Sequence, residues 1–389
     1  MKNIFKIFAF LPLLTACDDL FEPALENNRD LEAMYKEPSY AQGILANAYI
    51  ILPYETSPTS DLATDDAVTN EISSNYLRMA TGSWTANNNP VSQWQNRFNA
   101  IQYINLFLEN VDKVEWAKDE RISTMFLDRL KGEAYGLRAL HMYYLLRAHG
   151  GKIADGTLMG VPIILKSEGP DADFNHARAT YSDCVKQIME DADKAIELLP
   201  LDYKKFADSE IPEKYKNIGV TNASDYRRVC GEEYRGLMSG RIALAVRAQT
   251  ALLAASPAFQ SGSGMTWEQA ADYAAEIIEK ANGGGGCGLD ADGLEWYTLA
   301  DKDYGTGGSP AEVIWRSSTD DNNTLETANF PPSLYGNGRV NPTQNLVDAF
   351  PMANGYPISE TSGNYDAENP YDNRDPRLAK YIVYNGSKQ

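Results

Sequence analysis

The spacing of apolar residues along most of this chain predicts amphipathic helices. Apolar side chains recur every three or four positions, the period of one buried helix face, over residues 40–52, 91–111, 123–149, 181–199, 240–256 and 266–281. Gly150-Gly151 and Pro200 mark two of the helix ends, and Thr266 is the expected N-cap of the last helix.

Polar segments interrupt these helices. Residues 53–90 are rich in Ser, Thr, Asn and Asp, which predicts a long ordered loop. Loops of this length in compact chains are usually functional or disordered. Residues 202–233 are charged and aromatic and are predicted to form an insertion. From residue 283 on, Gly, Asn, Asp and Pro become frequent, which predicts loops and short strands, including one strand over 312–317.

The pattern as a whole favours a mainly α fold. At least five of the predicted helices have 14 or more residues, and the alanines of helix 240–256 allow a neighbouring helix to approach closely. This rhythm is typical of tetratricopeptide-like helix pairs, although the repeat of about 34 residues is poorly kept. We therefore expect helix pairs over residues 40–282 and a loop-rich region over 283–389.

The first residues have the layout of an export signal. Two lysines precede an apolar run over residues 4–14, which is too short to span a membrane. The run ends in Leu14-Thr15-Ala16-Cys17, which resembles a bacterial lipobox. Residues 1–16 are thus the expected signal peptide, and 17–39 a tether lipidated at Cys17 that holds the protein on a membrane. The alternative is an ordinary secretory signal followed by a chance cysteine.

Charge and cysteine content narrow the function classes. The net charge of −19 becomes −21 once the two signal-peptide lysines are removed. So acidic a chain repels nucleic acid, which we exclude as a partner. Beyond Cys17 only Cys184, Cys230 and Cys287 remain, an odd number that gives no complete disulfide framework.

Aromatic residues are abundant, with 23 Tyr, 12 Phe and 6 Trp. Tyr and Trp offer an apolar face and a polar group, which suits stacking on sugar rings, while amides and charged groups bind hydroxyls. Trp84 has no apolar periodicity around it, so both a ligand platform and a loop anchor stay open. Trp94 is expected in the core and Trp315 in a structural role. The candidate ligand residues are Asn75, Tyr76, Arg78, Trp84, Asn88, Trp296, Trp315 and Tyr335.

No catalytic or metal motif is evident. His141 and His149 are eight residues apart on one predicted helix, too far for one metal ion, and no nucleophile motif accompanies them or His176. Helix packing is the expected role of His141. The acidic segment 290–301 lacks the ligand at position 5 and the glycine at position 6 of a calcium loop. We expect no catalytic residue, metal or cofactor, although a pair of carboxylates acting on a glycoside stays open.

Several segments resemble one family, the SusD/RagB-type lipoproteins. The resemblance covers most of the chain, in the family's order, and its five blocks are the lipobox, Lys131 to Gly151 with the following Val161-Pro162-Ile163, the alanine-rich segment Gly240 to Ala254, Asn341 to Gly355, and Arg374 to Leu378. It implies an α-α superhelix of tetratricopeptide-like pairs that supports a loop-rich ligand face.

The resemblance also implies a function. Such proteins lie on the outer membrane over a SusC-like, TonB-dependent β-barrel and deliver oligosaccharides, or in some members peptides, to it. Because family members usually run well beyond the Arg374 block, it implies that part of the loop-rich half is missing here. Three alternatives stay open: peptide uptake by the same architecture, a helical scaffold lipoprotein that binds only protein, and an enzyme.

Overall fold

The computed structural model describes residues 31–53, 60–85, 87–280, 312–316 and 322–387. Its longer helices are α2 (Pro38–Ile50), α4 (Trp94–Asn110), α5 (Glu120–His149), α6 (Tyr181–Leu198), α9 (Gly240–Ala255) and α11 (Trp267–Lys280). The shorter helices are α1 (Leu31–Lys36), α3 (Asn75–Ala80), α7 (Glu213–Lys216), α8 (Ala223–Cys230), α10 (Gln260–Ser263), α12 (Thr324–Asn329), α13 (Gln344–Ala349) and α14 (Pro376–Tyr381). The predicted mainly α fold is confirmed.

The helix ends follow from local capping. Thr180 begins α6 with its side chain accepting a hydrogen bond from the Asp183 amide. Ser239 begins α9 with its side chain accepting from the Ile242 amide. The predicted cap of α11 is confirmed, since the Thr266 hydroxyl accepts from the Gln269 amide at 3.1 Å. The Gln269 side chain reciprocally accepts from the Thr266 amide, which completes a capping box.

Each long helix packs against the next one along the chain, from α2 to α4, α5, α6, α9 and α11. The centre is α5, whose 30 residues extend about 45 Å and which contacts α4, α6, α8 and α9. Two glycines permit the close approach, because an added Cβ at Gly132 would lie 2.6 Å from Leu199 and one at Gly136 would lie 2.6 Å from Met238. These contacts carry the main hydrophobic core.

A buried ion pair joins three of these helices. The Arg138 guanidinium of α5 donates to both carboxylate oxygens of Asp191 on α6, at 2.7 and 2.8 Å. It also donates to the side-chain oxygen of Asn105 on α4 at 3.0 Å. The Asn105 amide then donates to the carbonyls of Ile164 and Lys166. Both charges are therefore compensated and hydrogen-bonded, which a buried ion pair requires.

The packing role predicted for His141 is confirmed. The imidazole is fully buried, with Nε2 3.0 Å from the Ala48 carbonyl and Nδ1 3.2 Å from the Arg97 guanidinium. Desolvation, followed by the positive charge of Arg97, lowers the pKa of His141 to about 3. The ring therefore stays neutral at physiological pH and connects α5 to the end of α2.

Residues 202–233 pack as a second small core on the first turns of α5. Ile122 and Met125 of α5 contact a group of apolar and aromatic side chains from α7, α8 and their connections, which are Ile211, Tyr215, Val220, Tyr226, Val229 and Cys230. The Tyr215 hydroxyl donates to the Asp128 carboxylate of α5 at 3.0 Å. Burial raises the pKa of the Cys230 thiol to about 12, and Cys184 is likewise buried and unpaired.

Two predictions about the irregular segments were wrong in part. The segment 53–90 is not a plain loop, because it contains a 3₁₀ turn over Ser60–Ala63, strand β1 (Ala67–Thr69) and α3. The strand predicted over 312–317 is absent over 312–316, the part of it that the structure describes. The short hairpin β2 (Gly151–Lys152) and β3 (Leu158–Met159) follows α5, and β4 (Val340–Pro342) pairs antiparallel with β1. The β1–β4 pairing carries no local signal, because its partners are about 270 residues apart.

No helix among the described residues is long and apolar enough to cross a bilayer. The predicted signal peptide, Cys17 and the first part of the tether lie outside the described residues, as do Cys287 and the segment 290–301.

Candidate functional site

A cleft opens where the loop before α4 meets the end of α5. Its volume is about 810 Å³, within the range of about 300–1,000 Å³ usual for small-ligand sites. Its lining comes from residues 84, 87–89, 92 and 94 before and at the start of α4, from residues 148–152, and from Arg178, which precedes α6. The long helices α2, α4, α5, α6, α9 and α11 form what we call the helical layer. The cleft thus lies at one end of this layer, where three connections meet.

Local hydrogen bonds shape the first wall. The Ser83 amide donates to the Arg78 carbonyl, which folds the chain back at the end of α3. Thr85 and Asn88 exchange two backbone hydrogen bonds across a tight turn, and the Asn89 side chain accepts from the Val91 amide at 3.0 Å. These short-range bonds hold Trp84 at the cleft with 45% of its surface exposed.

Three consecutive asparagines, Asn87, Asn88 and Asn89, line the cleft beside Trp84. Among the described residues, the side-chain amides of Asn87 and Asn88 have no hydrogen-bond partner, and both residues are exposed. Each amide provides two donor hydrogens and one acceptor oxygen. This wall therefore combines an aromatic ring with unused polar groups.

The prediction that Trp94 lies in the core was wrong. Trp94 is 43% exposed and lines the cleft. Its ring contacts Phe98 and His149 edge-on, at centroid distances of 4.8 and 5.4 Å. Trp94 is the first residue of α4, so one side of its ring reaches the helix and the other remains at the open end. A second tryptophan thereby joins Trp84 at the cleft.

His149 ends α5 and forms the opposite wall. Its Nε2 accepts a hydrogen bond from the Gln93 amide at 3.0 Å, which assigns the proton of the neutral ring to Nδ1. Desolvation, with a further effect of Arg178, lowers the pKa of His149. The imidazole is therefore uncharged at neutral pH and connects the end of α5 to the start of α4.

Arg178 and Lys152 bring the only charged side chains among the described residues that line the cleft. Arg178 donates from Nε to the Gly160 carbonyl and from Nη2 to the His149 carbonyl, both at 2.7 Å. Lys152 lies on strand β2 of the short hairpin, directly after Gly151. No carboxylate lines this cleft in the part of the chain that the structure describes, so it lacks the pair that glycoside hydrolysis requires.

Of the ligand residues predicted from sequence, Trp84 and Asn88 lie together at the cleft. Asn75, Tyr76 and Arg78 belong to α3, which supports the loop but does not line the cleft. Tyr335, 96% exposed, also lies outside it. Trp296 falls outside the described residues.

The structural role predicted for Trp315 is confirmed, because its ring packs against the main core and its indole N–H donates to the Gly236 carbonyl at 2.8 Å. Sequence reasoning missed His149, Lys152 and Arg178 as cleft residues. The Gly150-Gly151 stop was a usable signal for the first two, since it places a helix end and a turn at that point.

Comparisons with known proteins assign the family. A family model described as "Starch-binding associating with outer membrane" (SusD-like) matches residues 25–214, and the model of the SusD family matches residues 311–389. The two matches together span more than half of the chain. No curated protein sequence matches it.

Solved structures share the fold. A SusD-like protein from Bacteroides fragilis is 18% identical with a TM-score of 0.62, and the match covers 92% of this chain and 62% of that one. A SusD-like carbohydrate-binding protein from the same species is 20% identical with a TM-score of 0.60, covering 92% and 61%. The chain thus spans about three fifths of the length of these relatives. The two family models cover three of the five segments that carry the resemblance, Lys131 to Ile163, Asn341 to Gly355 and Arg374 to Leu378. The chain belongs to the SusD/RagB family.

Proposed function

We propose that the protein captures oligosaccharides at the cell surface and delivers them to a SusC-like TonB-dependent transporter. The observation that carries this proposal is the cleft, where Trp84 and Trp94 lie beside three asparagines. Indole rings stack on the apolar faces of sugar rings, and the amides of Asn87 and Asn88 are available for hydroxyl groups. A family model described as starch-binding supports a saccharide ligand.

The cleft is proposed to bind without catalysis. Acid–base cleavage of a glycoside needs two carboxyl groups about 5–10 Å apart, and the described cleft residues include none. Its one histidine is a poor proton donor, because Nε2 already accepts from the Gln93 amide and the pKa of the ring is lowered. Release of an unmodified ligand suits a protein that passes its cargo to a transporter.

The proposed location rests on the N-terminal pattern and on the family. Lipidation of Cys17 would hold the protein on the outer membrane, and the family model is described as associating with that membrane. Cys17→Ser is expected to move the protein from the membrane fraction to the soluble fraction. Unchanged membrane retention of this variant would count against the lipid anchor.

Calorimetry of residues 18–389 with a panel of oligosaccharides and peptides tests the ligand class. We expect saturable binding of at least one saccharide, weakened about tenfold or more by Trp84→Ala, which corresponds to about 1.4 kcal/mol of stacking. Trp267→Ala is the matched control, because Trp267 is 50% exposed on α11 and does not line the cleft. Binding of peptides alone, or equal effects of the two substitutions, would contradict the proposal.

A further inference from the structure

The charge of the cleft is opposite to the charge of the protein. The chain has 54 acidic and 35 basic residues, yet among the described cleft residues the charged side chains are Lys152 and Arg178. With this excess of acidic residues, most of the protein surface is expected to carry negative charge. The described cleft residues, with two cations and no carboxylate, therefore differ in charge from the rest of the surface. This difference identifies a region where a negative group is attracted rather than repelled.

Backbone contacts position both cations. Arg178 is held by the Gly160 and His149 carbonyls through Nε and Nη2, while Nη1 has no hydrogen-bond partner among the described residues. Lys152 lies on β2, which pairs with β3, and Met159 of β3 bridges to Thr180, two residues beyond Arg178. The two basic residues therefore come from adjacent segments.

Neither cation is neutralised by a carboxylate in the part of the chain that the structure describes. Arg178 and Lys152 form no ion pair with any carboxylate of the described residues, whereas Arg121, Arg138 and Arg241 each pair with one and Arg247 pairs with two. A guanidinium with unused N–H donors binds carboxylate and sulfate groups well. His149 does not add to this charge, because desolvation and then the charge of Arg178 lower its pKa.

We propose that the cleft selects saccharides with an anionic substituent, a uronate carboxylate or a sulfate group, which Arg178 and Lys152 bind while Trp84 and Trp94 stack on the sugar rings. This inference rests on the proposed function and narrows its ligand class. The negative charge of the whole protein does not oppose it strongly. At physiological ionic strength, charges more than about 8 Å away are largely screened.

Matched pairs of ligands test this selection. Calorimetry of residues 18–389 would compare an oligogalacturonate with its carboxyl-reduced form, and a sulfated galactan oligosaccharide with its desulfated form. The two arms separate carboxylate from sulfate recognition. We expect the anionic member of at least one pair to bind about tenfold more tightly, and its affinity to fall as salt increases.

Substitutions then assign the effect to the two cations. Arg178→Gln is expected to weaken the anionic ligand about tenfold and Lys152→Gln about threefold, each with a smaller effect on the neutral partner. Arg178→Lys, which keeps the charge, should restore part of the affinity. Lys205→Gln is the control for charge alone, because Lys205 is exposed and does not line the cleft. Thermal unfolding of each variant verifies that it is folded.

The outcomes separate this inference from the proposed function. Equal affinity for both members of each pair, unaffected by Arg178→Gln and Lys152→Gln but lost in Trp84→Ala, would overturn the anionic preference and leave saccharide capture intact. Loss of anionic binding equal in Lys205→Gln and Lys152→Gln would also overturn it. Absence of binding to every saccharide would contradict the proposed function itself.

Discussion

The helical layer and the cleft use side chains in opposite ways. In the layer, Ile104, Leu137 and Ile188 are fully buried, and even the polar Asp191 is enclosed and paired. In the cleft, Trp84 and Trp94 leave more than two fifths of their surfaces exposed, and two asparagines have unused amides. The layer pairs Arg138 and Asp191 with each other in its interior, while the cleft leaves two side-chain amides available for a ligand. Substitutions in the two regions should therefore affect different properties.

The largest expected effect tests the buried ion pair of the layer. Asp191→Ala leaves the Arg138 guanidinium buried without its carboxylate partner, which costs about 3–5 kcal/mol in unfolding free energy. Urea unfolding of residues 18–389 measures this loss. Glu190→Ala is the matched control, since its carboxylate on the same helix is exposed and pairs with Lys186 only at 3.9 Å. A loss of less than about 1 kcal/mol in Asp191→Ala would contradict the importance of the pair.

A second prediction concerns the pH dependence of the layer. The pKa of His141 is about 3 in the folded protein and about 6.5 in an unfolded chain. Below pH 6.5 the unfolded state therefore binds the proton first, and stability falls as pH decreases, by about 1.4 kcal/mol per unit.

This contribution amounts to about 2 kcal/mol between pH 6.5 and pH 5. His141→Gln should remove it, so that the variant loses about 2 kcal/mol less than the native protein over this interval. Denaturant unfolding at the two pH values gives the difference directly, and other titrating groups such as Glu133 cancel between the two proteins. Identical pH slopes would show that His141 does not stay neutral in the native state.

The contrast between the helical layer and the cleft also explains how much of each could be predicted from the sequence. Burial of one helix face imposes a period on the sequence, so the long helices and the cap at Thr266 could be predicted. No period marks the cleft. Trp84 was recognised because no apolar periodicity surrounds it, and Asn88 because its amide can bind hydroxyl groups. Trp94 shares its helix with Phe98 and was assigned to the core. Arg178 comes close to His149 only through tertiary structure, so local sequence gave no sign of it.

Trp94 belongs to both regions, and its substitution tests where they meet. Trp94→Ala removes the edge contacts with Phe98 and His149 and one wall of the cleft. We expect a loss of about 1–2 kcal/mol in stability and about tenfold in saccharide affinity. Trp94→Phe is the control, because it keeps an aromatic edge and should recover most of the stability. If Trp94→Ala changed stability but not affinity, Trp94 would belong to the layer alone.

The smallest expected effect concerns the loop that presents Trp84. Asn89→Ala removes the side-chain oxygen that accepts from the Val91 amide, a bond within the loop and distant from the core. Because a single short-range bond in a surface loop contributes little to unfolding, stability should change by less than about 0.5 kcal/mol. Affinity should fall about threefold, since the loop is less well ordered before binding. Asn96→Ala, an exposed asparagine on α4 outside the cleft, is the control.

Asn89→Asp sharpens this last test. Aspartate keeps an oxygen that can accept from the Val91 amide, so the loop and the affinity for a neutral saccharide should be preserved. The added carboxylate lies in the cleft with Arg178 and Lys152, where it competes with an anionic ligand for their positive charge. Calorimetry should then show a selective loss for anionic saccharides. Equal losses for neutral and anionic ligands would mean that Asn89 contacts the sugar itself rather than ordering the loop.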